Sequence, residues 1–189
     1  MKETEILLSE INRDIKEMLS DKRYTHSVNV MKRSEELAKK FGVDVDKAKL
    51  VGLAHDIAKE MPEKLQYAKE HNIEVDEIEQ INVELLHSKI GAEICGKKYN
   101  FPQDMKDAIK YHTTGNPEMD DLAKVLFIAD KTESGRTYMD FEKIKEKEEE
   151  SLNKELIYML DVSIQYTINK EQLIHPDSIY TRNRFLLEK

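Results

Sequence analysis

The sequence predicts an all-α protein, and three observations carry that prediction. Only six glycines and four prolines punctuate 189 residues, too few for a turn-rich β architecture. Lys, Glu, Leu, Ile and Ala are plentiful, as in long helices. Apolar residues recur at three- and four-residue steps along most of the chain. With 39% hydrophobic residues, a chain of this length buries one sizeable core, so a single domain is expected.

Residues 3–19 read as an amphipathic helix, and 23–41 as a second with Val30, Leu37 and Phe41 on one stripe and Gly42 as its stop. A third helix starts after Asp44 as N-cap and is expected to run to about Lys59, with Ala48, Val51, Ala54 and Ala58 on its apolar face. Pro62 suits a first helical turn, so 63–70 form a short helix. Helical patterns follow at about 75–85, at 88–98 with Ser88 as N-cap, and at 103–112, opened by Pro102. The segment 120–130 is apolar on most sides and is expected to be the central buried helix. After a loop from Thr132 to Asp140, the charge run 142–151 reads as a solvated helical face leading into a long helix over 152–169. A last helix follows Pro176 and carries Tyr180 to Leu187.

Composition also excludes. Residues 1–18, MKETEILLSEINRDIKEM, hold no continuous apolar run of the kind a secretion signal needs. The longest mostly apolar stretch, Leu122 to Ala129, contains Lys124 and is too short for a bilayer. A single cysteine, Cys95, sits in an apolar helical pattern and suits a reducing cytoplasmic setting as a small core residue. A formal charge of −8 argues against a general nucleic-acid binder, so a phosphate-bearing ligand has to be captured locally. Metal ions with a few basic residues can do that on an acidic protein.

The most informative feature is His55-Asp56, adjacent near the end of the apolar string GLAHDIAK. Alone, the pair is more often a surface or capping pair. His26, however, lies one turn before Val30 on its helix's core stripe. His112 follows Ala108 by four, Asp130 follows Leu126 by four, and His87 stands at a helix entrance before Ser88. Burying one unpaired carboxylate costs several kcal/mol, roughly, so these groups need a common partner, and a divalent cation is economical. Imidazoles with carboxylates and no thiolate favour Fe, Mn or Co over a structural zinc. Each histidine taken singly is more often a satisfied core residue; the set of six shifts the balance.

The ordered pattern His26, His55-Asp56, Asp130 resembles that of the HD-domain superfamily of metal-dependent phosphohydrolases. The strings RYTHSVNV, AHDIAK, LLHSKIGA, YHTTGN, FIADKTESGR and TRN narrow the resemblance to its YqeK-like branch, the symmetrical bis(5'-nucleosyl)-tetraphosphatases. Tyr111, Ser134 and Thr181-Arg182-Asn183 depart from that branch's pattern without removing a ligand. The resemblance implies an HD-domain helical bundle over 1–189, with its core at about 20–135 and C-terminal helices 140–187 packed on it.

It further implies cleavage of diadenosine tetraphosphate into two ADP by attack of metal-activated hydroxide on phosphorus. One metal, most readily Fe, with Mn or Co as alternatives, is expected on His26, His55, Asp56 and Asp130. His87 and His112 either help hold a second ion bridged by Asp56 or bind phosphate directly; both readings stay open. Asp56, Lys59, His87 and His112 are the expected catalytic groups. Arg23, Lys59, Thr113, Thr114, Arg136, Thr181, Arg182 and Asn183, with the same two histidines, are expected to contact substrate. His71 and His175 fall outside the motifs, and Tyr67, Tyr158 and Tyr166 are read as packing residues. The alternatives are another nucleotide, a mono- or triphosphate, as substrate, or a non-catalytic nucleotide-binding regulator. A nucleotide partner is thus expected, without nucleic acid or membrane; a homodimer is implied by the resemblance alone.

Overall fold

The computed structural model describes residues 2–135 and 141–188. Among them are eleven α-helices, one short 3-10 segment and no strand: α1 (Lys2–Met18), α2 (Asp21–Phe41), α3 (Val45–Ala54), α4 (Lys64–Glu70), α5 (Glu77–Ile81), the 3-10 turn Val83–Leu85, α6 (Leu86–Tyr99), α7 (Gln103–Tyr111), α8 (Asp121–Thr132), α9 (Phe141–Glu150), α10 (Leu152–Asn169) and α11 (Pro176–Leu187).

Helix α8 is the axis, as its composition predicts. Asp120 caps it by accepting the Ala123 N–H at 2.8 Å, and every residue from Leu122 to Ala129 is buried. Helices α2, α3, α7 and α10 pack around it. The pairing of α2 with α3 depends on Gly52, where a Cβ would stand 2.9 Å from the Met31 Cα and 2.9 Å from the Ser34 Oγ. Helix α2 stops where the sequence says, at Gly42, whose φ of 72° lets its N–H bond back to the Ala38 carbonyl. Helix α1 buries Ile11 and Ile15 against α3.

Helix α3 ends at Ala54, not near Lys59. The His55 ring N–H bonds to the Gly52 carbonyl at 2.8 Å, competing for the acceptor that would carry the helix onward. The chain continues as tight turns, with Ile57 N–H on the Ala54 carbonyl and Lys59 N–H on that of Asp56. Pro62 lies before α4, which starts at Lys64 after Glu63 in the left-handed region. The pattern at 75–85 divides at Asn82 into α5 and the 3-10 turn. That turn runs straight into α6, so His87 stands inside the first turn of the helix and Ser88 is not its N-cap; the Ser88 hydroxyl bonds to the Leu85 carbonyl instead.

The charge run is less solvated than its composition implies. Helix α9 buries Ile144, and its Glu148 receives Arg33 of α2 at 2.5 Å and Lys40 at 3.1 Å. Arg33 also donates to the Thr132 hydroxyl of α8 at 3.1 Å, so one guanidinium ties three helices. Pro176 takes the first position of α11, and the hydroxyl of Ser178 bonds to the Thr114 carbonyl at 2.8 Å, holding that helix over the turn after α7. Among the described residues no helix is long and apolar enough to cross a membrane.

Candidate metal centre

Four helix ends and one helix interior deliver six side chains to one point beside α8. His26 comes from the second turn of α2, His55 and Asp56 from the turn ending α3, and His87 from the start of α6. His112 follows α7, and Asp130 lies in the last turn of α8.

Asp56 is the centre, and its two oxygens face opposite ways. Oδ2 lies 3.8 Å from the Nε2 of His26 and 3.7 Å from that of His55. Oδ1 lies 3.2 Å from the Nε2 of His87 and 3.7 Å from that of His112. Asp130 closes the first side, with Oδ1 3.1 Å from His26 Nε2 and 3.8 Å from His55 Nε2. Two triads of metal-competent atoms, His26–His55–Asp56 and Asp56–His87–His112, therefore share one carboxylate.

The back of each imidazole decides what its front can do. His55, His87 and His112 each direct Nδ1 at the carbonyl three residues earlier, those of Gly52, Glu84 and Ile109. A carbonyl only accepts, so Nδ1 carries the proton and the Nε2 lone pair faces the centre. His26 is anchored differently: its Nδ1 meets the Glu133 carboxylate at 3.2 Å, and Glu133 is itself held by the Asn29 amide at 3.1 Å and the Gly135 N–H. His55 Nε2 is buried with no hydrogen-bond partner, and the Nε2 atoms of His87 and His112 face each other at 3.1 Å. Converging lone pairs beside two carboxylates call for a cation between them, so the donor set fits a divalent metal.

Electrostatics keeps each group in its ligating form. Burial drags the His55 pKa down to about 4, and burial lowers that of His112, so both stay neutral at pH 7. Burial alone would raise the two carboxyls; the neighbouring histidines hold Asp56, and Lys131 with the histidines hold Asp130, well below the usual range.

Basic and hydroxyl groups surround the centre. Lys59 Nζ is 3.3 Å from His87 Nε2, Arg23 reaches Asp56 Oδ2 at 3.4 Å, and the Thr113 hydroxyl is 3.2 Å from His112 Nε2. These residues border a cavity of about 440 Å³ together with Lys131 and one face of α10. Thr114 lies one residue beyond, with its hydroxyl on the Gly115 carbonyl. Thr181 is fully buried, its hydroxyl spent on the Asp177 carbonyl and its side chain packed on Gly115, whose φ is 77°. Arg182 pairs with Asp161, and Asn183 is exposed; none of 181–183 lines the cavity. Arg136 lies outside the described residues. His175 is engaged at both ring nitrogens: its Nδ1 accepts the Asp177 N–H, so its Nε2 donates to Asp76 at 2.8 Å and latches α11 to the cap of α5. His71 stacks on Tyr67.

Sequence reasoning missed Glu133, Lys131 and the α10 face. Glu133 had a signal, since it follows Asp130 by three and so shares its side of the chain. The α10 residues had none, because only tertiary packing brings them there.

The chain belongs to the HD-domain family, whose model matches residues 23–135. Within it, the chain belongs with the symmetrical bis(5'-nucleosyl)-tetraphosphatases. A relative of that name from Halalkalibacterium halodurans is 33% identical over 93% of this chain and 95% of its own length. Its counterpart from Bacillus subtilis is 33% identical over 89% and 92%. A crystal structure from Clostridium acetobutylicum, described as a predicted HD superfamily hydrolase involved in NAD metabolism, superposes with a TM-score of 0.90 at 32% identity, covering 96% of this chain and 97% of that one.

Proposed function

We propose that this chain hydrolyses dinucleoside tetraphosphates symmetrically, converting diadenosine tetraphosphate and water into two ADP. The observation that carries the reading is Asp56, whose two oxygens each complete a separate cluster of imidazoles. Relatives bearing the activity's name over nearly their whole length support the same substrate. His26, His55, Asp56 and Asp130 would hold one divalent transition metal, iron first with manganese or cobalt in its place, and Asp56, His87 and His112 would hold a second. Such ions, when bound, lower the pKa of water towards neutrality and offset charge on the phosphoryl oxygens.

The chain's own groups do the positioning. Lys59, Arg23 and Lys131 bring three cations to the cavity, where they orient and neutralise a tetraphosphate on a protein of net charge −8. The Thr113 hydroxyl stands between the second imidazole pair and the cavity, placed to donate to a phosphate oxygen. Burial of His55, Asp56, His87 and His112 keeps bulk water from competing with them.

Glu133 holds the His26 ring and makes it a stronger donor. Glu133→Gln keeps the shape and loses the charge, so metal affinity of the first site should fall by about 10- to 100-fold, as is typical for such outer partners. Metal titration of the variant checks this; an affinity equal to wild type would remove Glu133 from the site.

The function itself is tested by stripping the protein of metal, reconstituting it with Fe, Mn or Co, and offering diadenosine tetraphosphate beside nucleoside mono- and triphosphates. Metal-dependent turnover of the dinucleotide is expected. Preference for a mono- or triphosphate would favour the other nucleotide reading, and metal binding without turnover of any of them the regulatory one.

A further inference from the structure

Tyr166 is read from sequence as a packing residue, yet it is 55% exposed. It lies on α10 with Val162, Ser163 and Thr167, at spacings of one and four residues that put all four on one helical face. That face lines the same cavity as Arg23, Lys59, Lys131 and the metal-competent side chains. The cavity thus combines metal-competent groups and cations with the uncharged, aromatic surface of one helix.

A nucleotide has the same division. Its phosphates require the metals and cations; its base requires a π face and polar edges. Thr181, Arg182 and Asn183, expected from the sequence to contact substrate, are buried, paired or away from the cavity. We propose that the α10 face is the nucleobase subsite, with the exposed ring of Tyr166 as its stacking platform.

The hydroxyls beside the ring fit an amino-bearing base. Ser163 donates to the Met159 carbonyl at 2.7 Å and Thr167 to the Ser163 carbonyl at 2.9 Å. With their protons committed to the helix, the oxygens of these two cavity-lining residues remain as acceptors, matched to the exocyclic amine of adenine. Lys170 Nζ lies over the Tyr166 ring, 5.8 Å from its centroid, at the outer reach of a cation–π contact.

The subsite rests on the nucleotide reading above, and its test separates the two. Metal-loaded wild type, Tyr166→Ala and Tyr166→Phe are titrated with ADP and, separately, with inorganic tripolyphosphate, and KM and kcat are measured on diadenosine tetraphosphate. Loss of one base–aromatic stack should weaken ADP by roughly five- to hundredfold in Tyr166→Ala. KM should rise with kcat little changed, tripolyphosphate should bind as in wild type, and Tyr166→Phe should keep wild-type affinity. Equal ADP affinity in wild type and Tyr166→Ala, or an equal loss for tripolyphosphate, overturns the subsite. Failure of the wild-type holoenzyme to cleave the dinucleotide counts instead against the function.

Discussion

Asp56→Ala is expected to lose turnover and metal together, with activity reduced by at least about 10²- to 10³-fold, the scale on which removing one charge-stabilising group from a buried site acts. Each imidazole cluster draws one of its oxygens from this carboxylate, so its removal opens both sites at once. Replacing a residue that serves one side, such as His112, leaves the other triad intact and should spare metal binding there. Stability gives a second readout through Asp56→Asn, which keeps the shape of this 2% exposed side chain but loses the charge that the neighbouring histidines stabilise, so the metal-free variant should melt below metal-free wild type. Calorimetry of both proteins with and without metal checks this: the metal-induced rise in melting temperature should vanish in the variant. A full-sized rise would place the metal elsewhere.

A second large effect concerns pH and lies away from the metals. Glu155 of α10 is fully buried, neither carboxylate oxygen has a hydrogen-bond partner, and the nearest guanidinium, that of Arg33, is 3.6 Å away. Burial first, then the nearby Glu148, pushes its pKa from 4.5 up to about 7. The folded state therefore binds a proton that the unfolded chain releases near 4.5. The stability Glu155 contributes is fully present below that value and is lost as pH rises through about 7, a change on the order of 3 kcal/mol. Urea titrations between pH 5 and 8 should show that decline, and Glu155→Gln should flatten it. An unchanged slope in the variant would assign the proton to another group.

How far the sequence could be read depended on what local spacing reports. Cap and stop signals at Asp44, Gly42, Pro102 and Pro176 act within one turn, and those boundaries match. The central helix was legible because eight successive residues are buried on every side. The six converging side chains were legible because each interrupts an apolar helical face, where a polar group needs a reason. What spacing does not report is competition for a single carbonyl, which is why α3 stops at Ala54. Nor does it report contacts between distant segments. Glu133 meets His26 across 107 residues, Arg33 meets Glu148 across 115, and the α10 wall faces ligands from four other helices. Thr181 shows the converse: it belongs to a recognisable string, yet packing buries it under Gly115.

The site is expected to cut its substrate at the middle of the tetraphosphate chain, and chromatography of the products from diadenosine tetraphosphate and the metal-reconstituted protein reads out the position of the cut. ADP as the sole nucleotide product is the expected result; AMP with ATP, or an intact dinucleotide, would contradict it.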